Sequence, residues 1–535
     1  MKKQRDALEE LISENFLVFL LEKWKISSGE QLGEPYSFKE RPYMLEIAKD
    51  NFWFQVIQKS AQCGISELEV AKAVFETVHE KRNVLYTFPA SEQMQQFVDA
   101  RARNAITTNE YLSNFVTGSL NLKKFSLNYH QIYFRGVQKR RQMISVDVSS
   151  LKLDEADEYE DGTVSTLEKR LGAAKEPRKT IFSTPTFHGI GTSLYYFGSE
   201  AVKEKGSDQR VWTIKCESCG RWNEDLIWTE NVIDLNKNDE KFSYYEPNVV
   251  VICRFCKKLL NRLSSNAEWV AKVPSNSTHC HGYHISKLFS PVANLNQMYL
   301  DSQNPIKEQE FYNSDLGLPY EPKGSRITDE ALNKCRGHHL LVKKTMLPSF
   351  CGVDIGNKIH AISAQWDDNG KIKVVNVSEL DDWLDLPYYY KDMNCKSMVI
   401  DMNPDKEQAI DFQKKFDNVF LAYFSQHLER SPEQCSKNLD DYTVGIHRTL
   451  MMMVVSDMIY EKNIILPMDI KTVRDFYEHM KSPIKAKKED IKGDWVTFYP
   501  KTKNPDHFYF AMLYLLISMQ LRQRPAISRI LRIVN

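Results

Sequence analysis

Phe52-Trp-Phe-Gln-Val-Ile-Gln-Lys59-Ser60-Ala-Gln62-Cys-Gly64-Ile-Ser66-Glu67 is the stretch on which the reading of this chain turns. The apolar run Phe52 to Ile57 predicts a buried strand, and Leu68 to Val78 carries a helical pattern. Between them lies a short polar turn with one glycine. A strand, a tight loop and a helix aim backbone N–H groups and a helix N-terminus at a phosphate. The usual phosphate loop, G-x-x-x-x-G-K-[ST], is present only in altered form. Gly64 and Ser66 fit its second glycine and its hydroxyl, but Ile65 stands where the lysine belongs and Lys59 where the first glycine belongs. Alone, the stretch fits an ordinary strand–helix turn equally well.

The totals set the frame. At 535 residues the chain holds two or more domains, each able to bury a core. Its 71 basic and 71 acidic side chains balance, as in an ordinary soluble globular protein, so a nucleic-acid site would have to be a local groove. No apolar run approaches the ~20 residues that span a bilayer. Met1-Lys-Lys-Gln-Arg leads into an amphipathic helix over residues 4–25 rather than a signal core, with packing on the first domain as its expected role. Of ten cysteines, four lie in C-x-x-C pairs, which suits a reducing cytosol better than a disulfide framework.

Further along, Asn83 to Phe88 and Gln131 to Gly136 read as strands and Ser91 to Asn104 as a helix, an alternation that indicates a mainly parallel sheet. The basic cluster Lys139-Arg140-Arg141 reads as a solvated face or a phosphate-contacting loop. Val146 to Leu153 then leads into Asp154-Glu155. At a sheet edge the first carboxylate can hold Mg²⁺, and the second can orient a water for attack on a γ-phosphate. The acid run continues through Asp157, Glu158 and Glu160. Thr180-Ile-Phe-Ser183-Thr184-Pro185 is a strand ending in hydroxyls at a proline turn, either an ST-turn or a segment that senses the γ-phosphate. Upstream, Tyr43 follows an aromatic-bearing loop and is a candidate for bracketing adenine.

Cys216-Glu-Ser-Cys219 and Cys253-Arg-Phe-Cys256 are matching knuckles separated by 33 residues. Four thiolates at this spacing close a tetrahedral Zn²⁺ site with no open position, a structural ribbon rather than a catalytic centre. His279, His281 and His284 nearby are then packing or hydrogen-bonding residues. The stretch 321–345 reads as a linker with some helix.

After it a new sheet begins. Ser349 to Gly356 is a strand with Asp354 near its centre. His360–Trp366 and Lys371–Val377 follow across an Asp-Asn-Gly turn. Lys396 to Asp401 is a fourth strand, followed by a helix, the strand Val419–Phe424, a helix from about Val444 to Lys462, and a last helix with Asp506 in its first turn. Three antiparallel strands and a fourth, with acids on strands one and four and on a C-terminal helix, is the layout of ribonuclease H-like nucleases. There, clustered carboxylates bind two divalent ions about 4 Å apart. An aspartate buried in mid-strand is costly unless paired or coordinating.

With both halves in view, the chain resembles the large subunit of a tailed-bacteriophage terminase of the lambda-like subfamily, over about residues 35–520. The loop Lys59-Ser60-Ala-Gln62-Cys-Gly64-Ile-Ser66-Glu67 is similar to that group's altered phosphate loop, Asp154-Glu155 to its metal and catalytic-glutamate pair, and Ser183-Thr184-Pro185 to its coupling motif. The knuckles, Gly282-Tyr-His284 and Phe311-Tyr-Asn313 through Gly317 also match. So do Asp354-Ile-Gly, Asp401 and Asp506-His507 as an acidic triad.

The resemblance implies a P-loop ATPase domain over 35–320 with a zinc ribbon at 212–262. A helical segment (1–34) precedes it, and a linker (321–345) and a ribonuclease H-like nuclease domain (346–535) follow. It implies ATP, Mg²⁺ or Mn²⁺, and Zn²⁺ as cofactors. As partners it implies double-stranded DNA, a small terminase subunit and a portal protein, with a homo-oligomeric ring during packaging in the host cytoplasm. The basic stretch with Lys481, Lys485, Lys487 and Lys488 is then a candidate DNA-backbone contact. Two rival readings are a repair helicase–nuclease, since Asp154-Glu-Ala-Asp157 copies a helicase signature, and a recombinase or transposase with a zinc-ribbon DNA-binding module.

Overall fold

A computed structural model describes residues 2–138, 146–160, 162–199, 204–236, 247–304, 307–321, 324–425, 435–438, 441–489, 495–500, 505–521 and 533–534. The chain divides into two compact units, Met1–Glu321 and Pro322–Asn535. Lys139, Arg140 and Arg141 lie outside the described residues, as do the side chains of Lys487 and Lys488.

The first unit is built on one large sheet, whose order runs Ala267–Ala271, Arg210–Lys215, His281–Ile285, Phe54–Lys59, Arg178–Ser183, Ser150–Asp154, Val84–Phe88, His130–Gly136, Lys124–Leu127, Val116–Asn121. The seven strands from Arg210–Lys215 to His130–Gly136 are mutually parallel, and antiparallel strands close both edges. All six residues of Phe54–Lys59 are buried, as a strand covered on both faces requires. The strand thus runs two residues further than its apolar run suggests, and Lys59 is its last residue. The strand bearing Ser183 is inserted between the loop strand and the strand bearing Asp154. Three candidate motifs therefore end side by side at the C-terminal edge of one sheet, where open α/β sheets bind ligands.

The N-terminal helices pack on this unit through Ile12, Phe16, Phe19, Leu20 and Trp24. The helix expected over Ser91 to Asn104 begins as Ser91–Phe97 and widens into a π-helical stretch, Val98–Arg103.

In the second unit, Ser349–Ile355, Ile359–Trp366 and Ile372–Leu380 form an antiparallel meander, and Cys395–Asp401 joins parallel to the first of them. Val419–Phe424 and Thr443–Ile446 extend that side in parallel. The helix His507–Gln520 is apolar around its circumference and buried from Phe508 onward, which marks a core helix. It lies directly on the first strand: a Cβ on Gly352 would stand 2.1 Å from the carbonyl oxygen of Ala511, so only glycine permits this approach.

Three expectations need correction. The stretch 321–345 is not a free linker among its described residues, because Ile327, Leu332 and Cys335 belong to the core of the second unit. The helix expected from Val444 starts at Arg448, since Thr443–Ile446 is taken by the sheet. Finally, Cys351 and Cys395 are joined by a disulfide between neighbouring strands, with Cα atoms 6.4 Å apart, although a cysteine pattern without disulfides was expected.

Candidate functional site

At the end of its strand, Lys59 turns its ammonium to Glu155, with Nζ 2.9 Å from Oε1. The loop that follows is pinned on its outer side: the N–H of Ser60 donates to the Ile285 carbonyl (2.8 Å) and that of Ala61 to the Ser314 carbonyl (2.8 Å). Gln62 (φ +59°) and Gly64 (φ +94°) then swing the chain into the helix Ile65–Val78. A Cβ on Gly64 would stand 2.8 Å from Nη1 of Arg41, so the glycine leaves room for a guanidinium against the loop.

The carboxylates face this loop from two strands away. Asp154 accepts a hydrogen bond from the Tyr86 hydroxyl on Oδ2 (3.0 Å) and has the Ser66 side chain close by, while Oδ1 is buried without a partner. Burial, and then the neighbouring Glu155 charge, push the Asp154 carboxyl up to about 7. Glu155 sits at φ +49°, a left-handed conformation costly for a residue with a side chain. From there Oε2 accepts from the Ser183 hydroxyl (3.0 Å) and the Thr184 N–H (3.2 Å). Burial works against the Lys59 ammonium, yet Glu155, Cys63 and Asp154 hold its pKa above lysine's usual value. Lys59, Glu155 and Ser183 thus form one hydrogen-bonded chain across the three adjacent strand ends.

Asp157 was not singled out for a role, although it stands in plain view in the acid run. It is buried and accepts four hydrogen bonds from the segment beyond Ser183: Thr192 N–H and Oγ1 (2.7 Å each), Thr186 N–H (2.8 Å) and Thr186 Oγ1 (3.2 Å). Burial raises its carboxyl to about 6 against those donors. Arg41 is a second residue missed, and only its closeness to the loop in space reveals it.

Other expected residues stand elsewhere. The Tyr43 ring is 1% exposed, packed edge-on against Trp212 and Phe289, and presents no open face to a base. Glu67 is fully engaged by Trp24 Nε1, Ser27 N–H and Ser27 Oγ, tying the N-terminal segment to the loop helix instead of facing a phosphate. Ser60 is buried with Oγ unpartnered, Gln62 is exposed, and Pro185 is buried.

Cys216, Cys219, Cys253 and Cys256 bring their sulfurs within 4.8 Å of one another. Burial opposes ionisation of Cys253, but the N–H groups of Cys256 and Phe255 lower its thiol to about 6, the state a metal ligand needs. The nearby histidines are bound elsewhere: His281 to Asp50 (2.8 Å), His284 to Asp225 (3.0 Å) and the Leu316 carbonyl (2.9 Å), and His279 to the Lys205 carbonyl (3.1 Å).

In the second unit Asp354, Asp401 and Asp506 are near enough for the last two to help burial raise the Asp354 carboxyl to about 7. Burial also raises Asp401 and Asp506. The tight donor group is a different one, however: Asp354 with His360 and His507, within 4.8 Å of one another. Lys481 is held by Asp329 (3.1 Å) and Glu478 (2.8 Å).

Comparison with known proteins follows the same lines. Residues 32–270 match the family described as "Phage terminase large subunit gpA, ATPase domain". No curated protein matches the chain by sequence. Among solved structures, the large terminase of bacteriophage HK97 aligns over 94% of this chain and 99% of its own, at 13% identity and a TM-score of 0.54. The large terminase of the thermophilic bacteriophage D6E aligns over 87% and 93%, at 11% identity, but its TM-score of 0.29 bears no weight. Residues 32–270 are thus similar to the ATPase domain of phage terminase large subunits, and the chain as a whole carries the fold seen in the HK97 large terminase.

Proposed function

We propose that the chain is the ATP-driven motor and nuclease of a viral DNA-packaging machine, of the type whose phosphate-loop lysine stands at the loop start. The observation that carries the motor reading is the Lys59–Glu155–Ser183 chain at the C-terminal edge of the first sheet. ATP with Mg²⁺ fits these residues. The buried, unpartnered Asp154 Oδ1 and Ser60 Oγ are acceptor and hydroxyl groups that a nucleotide and its ion would satisfy. Bound Mg²⁺ would supply charge neutralisation at the phosphates. Lys59, now held by Glu155, would turn to the phosphates and free the glutamate to orient a water and accept its proton. Ser183 and Thr184, both bonded to Glu155, would register that change. Asp157 would pass it to the segment reaching Thr192.

The four cysteines would hold a structural Zn²⁺. In the second unit, Asp354, Asp401 and Asp506 would bind divalent ions for cleavage of concatemeric double-stranded DNA. The family supports further assignments: a small subunit and a portal as partners, a ring of copies during packaging, and action in the host cytoplasm. No helix among the described residues is long and apolar enough to cross a membrane. The antiparallel meander that opens the second unit differs from the second motor domain a helicase would carry.

Mg²⁺-dependent ATP hydrolysis by the full chain, together with one zinc per chain by elemental analysis, tests the first unit. No hydrolysis alone, with DNA or with a procapsid would remove the motor reading. Plasmid cleavage in Mn²⁺, abolished by Asp401→Ala, tests the second, and unaffected cutting by that variant would remove the site.

A further inference from the structure

The acid-only account of the second unit leaves its histidines unused. His360 is the cross-strand partner of Asp354 in the antiparallel pair Ser349–Ile355 and Ile359–Trp366. His507, the first residue of the core helix, sets Nδ1 2.8 Å from Asp354 Oδ2. Its ring stacks on that of His360, with centroids 4.6 Å apart and an 11° interplanar angle. One donor atom from each of the three residues lies within 4.8 Å of the other two. Asp354 is 5% exposed and His360 4%, and Nδ1 of His360 is buried without a well-formed hydrogen bond, though the Lys358 backbone lies close to the ring. The other nitrogen of His360, Nε2, lies 3.6 Å from Glu379, in the direction where metal-bound imidazoles commonly find a carboxylate. A hydrogen-bond network alone accounts for the His507–Asp354 contact but gives His360 Nδ1 no well-formed hydrogen bond.

We propose that Asp354, His360 and His507 form a two-histidine, one-carboxylate site that takes a divalent transition ion, Mn²⁺ or a later first-row ion, in preference to Mg²⁺. Imidazole suits the later ions, whereas Mg²⁺ is held by oxygen ligands and keeps several of its waters. Three protein donors leave coordination positions open to water or to a phosphate oxygen. The inference deepens the nuclease reading, from which it takes its chemical purpose, and assigns two ligands beyond the carboxylates. His479, whose ring centroid is 5.5 Å from that of His507, packs behind the pair.

The test uses the full chain with its cysteine-bound metal retained. Mn²⁺ is titrated and followed by electron paramagnetic resonance, and spin-echo modulation reads nitrogen coordinated to the ion. The expected result is imidazole-nitrogen modulation that survives a hundredfold excess of Mg²⁺. It should weaken in His507→Ala and in His360→Gln, each with Mn²⁺ affinity reduced about tenfold or more. Circular dichroism checks that both variants fold, and if His360→Gln does not, the partly exposed His507 carries the test. Absence of Mn²⁺ binding, binding without nitrogen modulation, displacement by equimolar Mg²⁺, or unchanged affinity in His507→Ala would each overturn the proposal. The two readings fail separately. Nitrogen-bound Mn²⁺ in a chain that cuts no DNA leaves the site standing without the nuclease. Cleavage with an all-oxygen ion leaves the nuclease standing without this site.

Discussion

The two candidate sites handle buried charge in opposite ways. In the first unit the carboxylates come with their own cation: Lys59 lies 2.9 Å from Glu155, and hydroxyls and N–H groups take up the remaining acceptors except Asp154 Oδ1. In the second, the Asp354 carboxylate is bonded to a histidine, and Asp401 and Asp506 add like charge around it. Arg448 near Asp506 offsets part of that charge. On the proposed function, the first site, closed on itself, would be opened by a ligand, while the second would gain its compensation from an added ion. A lysine that changes partner suits a site that cycles, and a fixed donor set suits one that holds metal between turnovers.

The largest break in this comparison comes from Glu155→Gln. Removing the proposed base while keeping its shape should lower ATP turnover by about 10²–10⁴-fold with nucleotide still bound, read by steady-state hydrolysis beside equilibrium binding. Loss of binding instead would make Glu155 a structural partner of Lys59. Next in size, Asp157→Ala removes four hydrogen bonds and strands two backbone N–H groups. It should cost about 3 kcal/mol in the unfolding of the first unit and uncouple hydrolysis from DNA movement. A stability change within ~0.5 kcal/mol would show that the segment beyond Ser183 is held by packing alone.

The third effect is in pH, and it is small at each step. Asp154 keeps its proton to about 7 when folded, against about 3.9 in an unfolded chain. Between those values the native state binds the extra proton, so this group's contribution to metal-free stability falls as pH rises, by up to about 1.4 kcal/mol per unit. Asp154→Asn should flatten the descent between pH 5 and 7 in chemical denaturation. An identical slope in the variant would mean that Asp154 is already ionised.

Much of the fold was legible because its strands are continuous apolar runs and its acids stand at their ends. Val419–Phe424 and the strand ending at Asp154 fall where their patterns put them. The helix at Val444 was misplaced because Val444 and Ile446 suit a strand as well as a helix, and only the neighbouring strand Val419–Phe424 decides between them. The meeting of Lys59, Asp154-Glu155 and Ser183 at neighbouring strand ends was legible where the candidate residues follow strand order. The site was illegible where long-range packing decides. Nothing local says that Tyr43 points into the core, that Glu67 is taken by Trp24 and Ser27, or that Arg41 returns to the loop. The histidines of the second unit were hidden likewise: His507 reads as a neighbour of Asp506, and only the pairing of two strands sets His360 across from Asp354.

The central claim is that a lysine at the start of the phosphate loop does the work of one at its end. Nucleotide affinity and hydrolysis measured together in Lys59→Ala test it most directly. The account predicts ATP binding weakened by about tenfold or more and hydrolysis at background, in a protein that keeps its unfolding midpoint. Hydrolysis by Lys59→Ala at the rate of the unmodified chain would contradict it.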